Sequence, residues 1–145
     1  MTVFTIGFTK TSAANFFGRL NDAGVKTVVD VRLNNTSQLA GFAKAADLEY
    51  FLGQIGGIAY RPEPLLAPTQ AIIDGWRKQK RPWEEFEARF KGLMAERQIE
   101  AHLTPEVLEG ACLLCSEDKP HNCHRRLVLE YLEDKWGTPL HVRHL

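Results

Sequence analysis

The sequence lacks the segments that mark membrane-spanning and secreted proteins. No apolar run approaches the roughly 20 residues that a membrane-spanning helix needs. The N-terminal residues, MTVFTIGF, carry neither the basic region nor the long apolar region of a secretory signal. We therefore expect a soluble, cytoplasmic protein with no membrane partner.

An excess of charge of either sign is also missing. The 145 residues include 18 basic and 18 acidic side chains, and the formal net charge is zero. Proteins that bind nucleic acid through bulk electrostatics are usually basic, so any surface of that kind must be local here. The densest basic run, residues 77–81, is typical of a solvated turn between two helices.

Cysteine is scarce, with three residues, which is an odd number. This count argues against a disulfide scaffold and for thiols that are kept reduced or used in chemistry. The chain length fits one domain, residues 1–145, with a single sizeable core.

Hydrophobic periodicity predicts an α/β fold. Short apolar runs indicate strands at residues 2–6, 26–31, 58–60, 111–115 and 140–142. Helical spacing indicates helices at residues 13–23, 45–54, 70–78, 82–97 and 122–135. Thr69 is a suitable cap for the third of these helices, and Thr104-Pro105-Glu106 is typical of a further helix start. The apolar stripe of residues 82–97, which includes Trp83 and Phe86, is typical of a core face. We expect a single three-layer sandwich with a mainly parallel sheet of four to five strands. A helical insertion separates the third strand from the fourth, and the proline-rich residues 61–68 are expected to be irregular.

Two charged residues, separated by Val31, lie at the end of the second predicted strand. Asp30 and Arg32 are two apart and therefore share a face of the strand. They can pair with each other, or both can point into the crevice beyond the carboxyl end of the strand. Ligands bind in that crevice in open α/β sheets. Ser37 lies in the following polar loop, residues 33–42, and is a further candidate for ligand binding.

Residues 111–126, ACLLCSEDKPHNCHRR, concentrate reactive side chains between a buried strand and an amphipathic helix. Cys112, Cys115, Cys123 and His124 are four conceivable zinc ligands. Cys112 and Cys115 are three apart on a strand, so their side chains should face opposite sides of the sheet. We therefore predict no metal site and no cofactor, and we interpret Cys112 as a small core residue.

The start of the last helix is a candidate anion site. Asn122 can cap this helix, and the free amides of residues 123–125 would then attract a phosphate or carboxylate. Arg125 adds a guanidinium, and Arg32 could approach from the second strand. Arg126, by contrast, lies four residues before Glu130 and is expected to form an ordinary exposed ion pair.

The same segment is a candidate for thiol chemistry. Cys123, at a helix N-terminus beside histidine and arginine, should form a reactive thiolate, and Cys115 could be its neighbour in space. Glu117 could act as a general acid or base, or it could orient His124 or Arg125. His124 is in register with the apolar face of the helix, so it could equally be a semi-buried structural histidine.

In these motifs the chain resembles the bacterial and archaeal domain-of-unknown-function family 488. The specific part is Leu113-Leu114-Cys115-Ser116-Glu117 with Cys123-His124-Arg125. Weaker matches lie at Thr5-Ile6-Gly7, Asp30-Val31-Arg32, Ser37, Gly41-Phe42, Lys44, Gly57-Ile58-Ala59-Tyr60 and His144-Leu145. The resemblance implies a compact α/β sandwich with these motifs gathered at one end of the sheet, and it brings no assigned activity.

Three functional interpretations remain open at the level of the sequence. In the first, an enzyme acts on a phosphate-bearing substrate such as a nucleotide or nucleic acid. In the second, the same crevice binds an anion or nucleic acid without chemistry, and in the third a zinc ion staples the domain. The candidate catalytic residues are Cys115, Glu117, Cys123 and His124. The candidate ligand-binding residues are Gly7, Asp30, Arg32, Ser37 and Arg125.

Overall fold

A computed structural model describes residues 1–35, 41–116 and 123–145 and places a parallel five-stranded sheet between two layers of helices. The strands are β1 Thr2–Gly7, β2 Thr27–Asp30, β3 Ala59–Pro62, β4 Ala111–Cys115 and β5 His141–His144. The helices are α1 Ala13–Ala23, α2 Ala45–Gly56, α3 Gln70–Arg77, α4 Trp83–Arg97, α5 Ile99–His102, α6 Pro105–Leu108 and α7 His124–Trp136. Two 3₁₀ turns lie at Gly41–Ala43 and Pro64–Leu66.

The central strand of the sheet is β4. The strand order is β3-β2-β4-β1-β5, and each neighbouring pair is parallel. All five residues of β4 are buried, as expected for a strand with both faces covered and a neighbour on each side. The sheet thus confirms the predicted parallel α/β architecture.

Side-chain alternation along the strands divides the core into two apolar clusters, one on each face of the sheet. Cys112 and Leu114 point toward the layer formed by α1 and α2. Leu113 and Cys115 point toward the layer that contains α4 and α7. The prediction that Cys112 and Cys115 face opposite sides is therefore confirmed, and so is the three-layer sandwich.

Helix α1 begins and ends where its sequence predicts. The Ser12 hydroxyl accepts a hydrogen bond from the Asn15 amide at 3.1 Å, which satisfies one of the free donors at the helix start. Gly24 ends the helix with a left-handed φ of 71°, a conformation that glycine adopts without a steric cost.

Two boundary predictions were wrong at the edges of the sheet. Strand β3 includes Arg61 and Pro62, and Pro64–Leu66 forms a 3₁₀ turn, so residues 61–68 are not irregular throughout. Proline is tolerated in β3 because this strand lies at the edge of the sheet, where its missing N–H costs no ladder bond. At the opposite edge, β5 extends to His144, beyond the predicted residues 140–142.

The insertion between β3 and β4 is helical, as predicted, and contains α3 to α6. Helix α3 begins at the predicted cap, where the Thr69 hydroxyl accepts a hydrogen bond from the amide of Ile72 at 3.3 Å. The short helix α5 was not predicted. Within the described parts of the chain, no helix has the length and apolar character needed to span a bilayer.

Candidate functional site

A cleft of about 330 Å³ lies where β2 and β4 end and where the helical insertion faces the sheet. The sheet side contributes Arg32, Leu33, Asn34, Cys115 and Ser116. The insertion contributes Gln70, Ile73, Trp76, Arg77, Trp83 and Phe86, and the start of α7 contributes Cys123 and His124. The crevice expected beyond the strand ends therefore exists, and four of the predicted site residues that the structure describes line it.

Arg32 is held rigidly by Asp30. The Nε and Nη2 atoms of Arg32 donate to the two carboxylate oxygens at 2.9 and 2.8 Å, and its backbone amide donates to Oδ1 at 3.1 Å. Both side chains are almost fully buried, and the guanidinium lies over the ring of Phe8 with a centroid distance of 5.4 Å. Of the two sequence interpretations, the ion pair is therefore correct, and only Arg32 of the pair lines the cleft.

Asp30 also accepts a hydrogen bond from the Tyr60 hydroxyl at 2.5 Å. Burial, followed by this contact with the carboxylate, raises the pKa of Tyr60 well above its usual range, so the phenol stays protonated and donates. Four donors from the described residues therefore surround the Asp30 carboxylate. Its position makes it a group that orients Arg32, rather than the direct ligand contact that was expected.

One guanidinium nitrogen of Arg32 makes no hydrogen bond to a described residue. Its Nη1 atom is buried and has no hydrogen-bond partner among the residues that the structure describes. Buried guanidinium donors are normally satisfied, so a donor of this kind beside a cleft favours an acceptor supplied by a ligand.

Cys115 and Cys123 meet at the cleft. Cys115 ends β4, and Cys123 is the N-cap residue of α7. Their sulfur atoms are joined as a disulfide, with the two Cα atoms 7.4 Å apart. The predicted proximity of the two cysteines is thus present, and both line the cleft while being largely buried.

Arg125 lies against this pair. Its Nη1 atom donates to the Sγ of Cys115 at 3.2 Å, and its side chain is among the largest that are fully buried. It is not among the residues that line the cleft. The sequence placed Arg125 on the ligand, whereas the structure places its guanidinium against the sulfur of Cys115.

Cys112 is a core residue, as predicted. It is completely buried on the face of the sheet that packs against α1 and α2. Burial raises the pKa of its thiol, so this cysteine stays neutral and unreactive in the folded protein.

His124 contacts the end of β2. One ring nitrogen, Nε2, lies 2.5 Å from the carbonyl oxygen of Val31, and the ring of Phe90 packs edge-on at 5.6 Å. Burial lowers the pKa of His124 to about 4, against the weaker opposing effect of the Val31 contact. The imidazole is therefore uncharged at neutral pH, which makes it a poor proton donor there.

The remaining predicted residues lie beside the cleft or outside the described parts of the chain. Gly7 is buried in β1 opposite Cys115, and its carbonyl accepts a hydrogen bond from Arg19 at 3.3 Å rather than facing the cleft. Ser37 and Glu117 fall in the undescribed segments 36–40 and 117–122. The cap predicted at Asn122 was wrong by one residue, because α7 begins at His124 and its N-cap is Cys123.

Arg126 forms the ion pair with Glu130 that its spacing predicts. The Nη1 atom of Arg126 lies 2.9 Å from the nearer carboxylate oxygen of Glu130. The structure adds a second pair, with the carboxylate of Glu87 on α4 at 3.1 Å. Arg126 therefore ties α7 to the insertion.

Sequence reasoning missed one wall of the cleft. Trp83 stacks on Phe86 with a centroid distance of 4.5 Å and an angle of 11° between the rings, and Trp76 meets Trp83 edge-on at 5.1 Å. The sequence assigns the stripe that contains Trp83 and Phe86 to the core, and Phe86 does belong to the core, but both side chains also line the cleft. Arg77, interpreted as part of a solvated turn, lines the same cleft. The available signal was the pair of tryptophans on consecutive helices of the insertion.

A family model matches this chain. The model of the family described as Domain of unknown function DUF488 matches residues 12–132, which is most of the chain. Neither a curated protein nor a solved structure shows significant similarity.

Proposed function

The chain belongs to the family Domain of unknown function DUF488, a description that names no reaction, and we propose that its cleft binds a phosphate-bearing ligand beside a reactive cysteine pair. The observation that carries this proposal is the fixed guanidinium of Arg32, whose Nη1 has no partner among the described residues. Because Asp30 already orients the group, a ligand pays little entropy to order it.

The charge on the cleft supports an anion. Asp30 occupies the Nε and Nη2 atoms of Arg32, so Nη1 is the donor that a phosphate oxygen would take. Arg77 contributes a second guanidinium to the lining from the end of α3. No Asp or Glu side chain is among the described residues that line the cleft. The Asp30 carboxylate lies behind this lining and is engaged by Nε and Nη2 of Arg32.

The aromatic wall supports a ligand with a planar group in addition to its phosphate. Trp83 is already stacked on Phe86, which fixes its indole ring in place. Stacking of a nucleic-acid base on an aromatic side chain contributes roughly 1–3 kcal/mol. A nucleotide, or a nucleotide unit of a nucleic acid, is therefore the ligand class that we propose.

The chemistry that we propose in the cleft is thiol–disulfide exchange. The thiolate of Cys115, stabilised by Arg125, attacks a disulfide substrate and expels one thiolate as the leaving group. The thiolate of Cys123 then attacks the mixed disulfide at Cys115, closes the Cys115–Cys123 bond and releases the second thiolate. Counted from its dithiol form, the cysteine pair loses two electrons and two protons, and the two thiolates expelled from the substrate take up both, so that the substrate leaves as two thiols.

Titration of the protein with inorganic phosphate and with a nucleoside monophosphate tests the binding step, with tryptophan fluorescence as the readout. We expect saturable binding that Arg32→Met weakens at least tenfold. Arg81 is exposed and pairs with Glu85 on the surface, so Arg81→Met is a matched control that should bind as the wild type does. Equal binding by the two variants would contradict an anion site at Arg32.

Alkylation of the reduced, folded protein tests the chemistry. After treatment with a phosphine, iodoacetamide should modify Cys115 or Cys123 much faster than Cys112, as measured by mass spectrometry of peptides. Slow labelling of all three thiols at equal rates would exclude thiol chemistry. Phosphate binding would then support the alternative function, a binding module in which the cysteines only pack.

A further inference from the structure

We infer that the reduced Cys115 and Cys123 thiolates, together with His124, bind one divalent cation of the zinc class in a site with an open position toward the cleft. The inference rests on the proposed function only in requiring that the Cys115–Cys123 bond can be reduced. It differs from the structural zinc considered from the sequence, because that site needed Cys112, which lies on the other face of the sheet.

The three side chains converge. The two sulfur atoms and one ring nitrogen of His124 lie within 4.8 Å of one another. Two thiolates and an imidazole are a ligand set of catalytic zinc sites, in which water or substrate takes the fourth place. All three residues line the cleft, so the fourth place is open to a ligand bound there.

The histidine is already in the form that a metal requires. The Val31 carbonyl can only accept a hydrogen bond, so Nε2 of His124, 2.5 Å away, must carry the proton. The lone pair of the ring is therefore on Nδ1. A metal-bound histidine typically donates its other N–H to a backbone carbonyl in this way, which fixes both the tautomer and the ring orientation.

The backbone spacing suits two sulfurs that share an ion. The Cα atoms of Cys115 and Cys123 are 7.4 Å apart, whereas the Cα atoms of disulfides are usually about 4.4–6.8 Å apart. With zinc–sulfur bonds of about 2.3 Å in tetrahedral geometry, the two sulfurs would lie about 3.8 Å apart. Reduction of the bond allows this separation without a closer approach of β4 and α7.

The protons and electrons balance as follows. A phosphine or dithiol reductant supplies two electrons, and the cysteine pair takes up two protons as its bond breaks. The cation then displaces both thiol protons, so metal affinity should rise with pH. Arg125, 3.2 Å from the Cys115 sulfur, favours the deprotonated form that coordinates the ion.

Cobalt(II) titration of the reduced protein, with the reductant removed under anaerobic conditions, tests the site. We expect one ion per chain, thiolate-to-cobalt charge-transfer absorption and the visible bands of a four-coordinate complex, all abolished by one equivalent of zinc. The oxidised wild-type protein is the control that needs no substitution, and it should bind no cobalt. Charge-transfer absorption of equal strength in the oxidised protein, or none in the reduced and folded protein, would overturn the inference.

Variants assign the ligands. His124→Gln should weaken cobalt binding at least tenfold and shift the visible bands, while His141→Gln, at an exposed histidine of β5, should change neither. Cys112→Ala should bind as the wild type does. Identical spectra and affinities for the two histidine variants would exclude His124 as a ligand.

The open position has its own test. Saturating inorganic phosphate should shift the visible bands of the cobalt protein, because it would enter the fourth place, and unchanged bands would contradict an open site facing the cleft. Phosphate binding to the metal-free protein, followed by tryptophan fluorescence, reports on the proposed anion site independently. Failure of one proposal is thereby distinguished from failure of the other.

Discussion

The Asp30 carboxylate accepts hydrogen bonds from two of the three guanidinium nitrogens of Arg32. Its two oxygens accept from Nε and Nη2 at 2.9 and 2.8 Å, and Nη1 is left without a partner among the described residues. The pair therefore combines a buried structural contact with one buried donor that has no described partner, on a residue that lines the cleft.

Replacing Asp30 by asparagine should destabilise the protein by about 3 kcal/mol, because it leaves the buried Arg32 charge uncompensated. Urea denaturation at neutral pH measures this change. Glu85→Gln is the matched control: it breaks an exposed ion pair with Arg81 and should cost less than about 1 kcal/mol. Similar losses of unfolding free energy in the two variants would show that the buried Asp30–Arg32 pair contributes no more to stability than an exposed pair does.

Replacing Arg125 by glutamine should slow alkylation of Cys115 on the order of tenfold, because a charge-assisted hydrogen bond worth roughly 1.5 kcal/mol no longer favours the thiolate. The rate is best measured in a Cys112→Ala background after reduction. Arg126→Gln serves as the control, since Arg126 pairs with Glu87 and Glu130 instead. An unchanged alkylation rate in Arg125→Gln would show that the guanidinium does not activate Cys115.

Stability should fall as the pH drops from 6.5 toward 4. The pKa of His124 is lowered from 6.5 to about 4 in the folded protein, so the unfolded chain binds more protons in this interval. The loss is up to about 3 kcal/mol at its lower end. Urea denaturation across this range should therefore show a steeper decline for the wild type than for His124→Gln, with His141→Gln as the control. If the stability of the wild type and of His124→Gln declined in parallel with falling pH, the lowered pKa of His124 would be contradicted.

Trp83→Leu should weaken binding of a nucleoside monophosphate by roughly 1–3 kcal/mol through lost stacking. Its affinity for inorganic phosphate should stay within a factor of two of the wild-type value, because the guanidinium of Arg32 is untouched. Isothermal titration calorimetry with both ligands provides this internal comparison. An equal loss for both ligands would mean that the substitution disturbs the whole cleft rather than one wall of it.

The sheet could be predicted because burial on both faces forces its strands to be apolar throughout. Residues 111–115 are the plainest case, since the predicted and observed strand coincide. The edges were less predictable: an edge strand needs hydrogen bonds on one side only, so β3 can contain Pro62.

The site was predictable where the spacing of two residues along one strand determines that their side chains share a face, as it does for Asp30 and Arg32 at the end of β2. It was not predictable where the same helical spacing places one residue in the core and another in the lining of the cleft. In α4, Phe90 is fully buried, whereas Trp83, seven residues earlier, lines the cleft. Nor does the sequence reveal that Arg125 turns to the sulfur of Cys115, since that contact depends on the approach of α7 to β4.

The position of β4 in the middle of the sheet has a consequence for biosynthesis. Strands β1 and β2 are both made early, yet they are not neighbours, and each pairs with β4, more than 80 residues farther along the chain. Contacts between residues so distant in sequence form slowly. A ribosome-bound chain that has emerged only as far as α6 has Arg32 but lacks the strand that brings Cys115 beside it. We therefore expect ligand-binding competence to appear late and abruptly during translation, once β4 has been released from the exit tunnel.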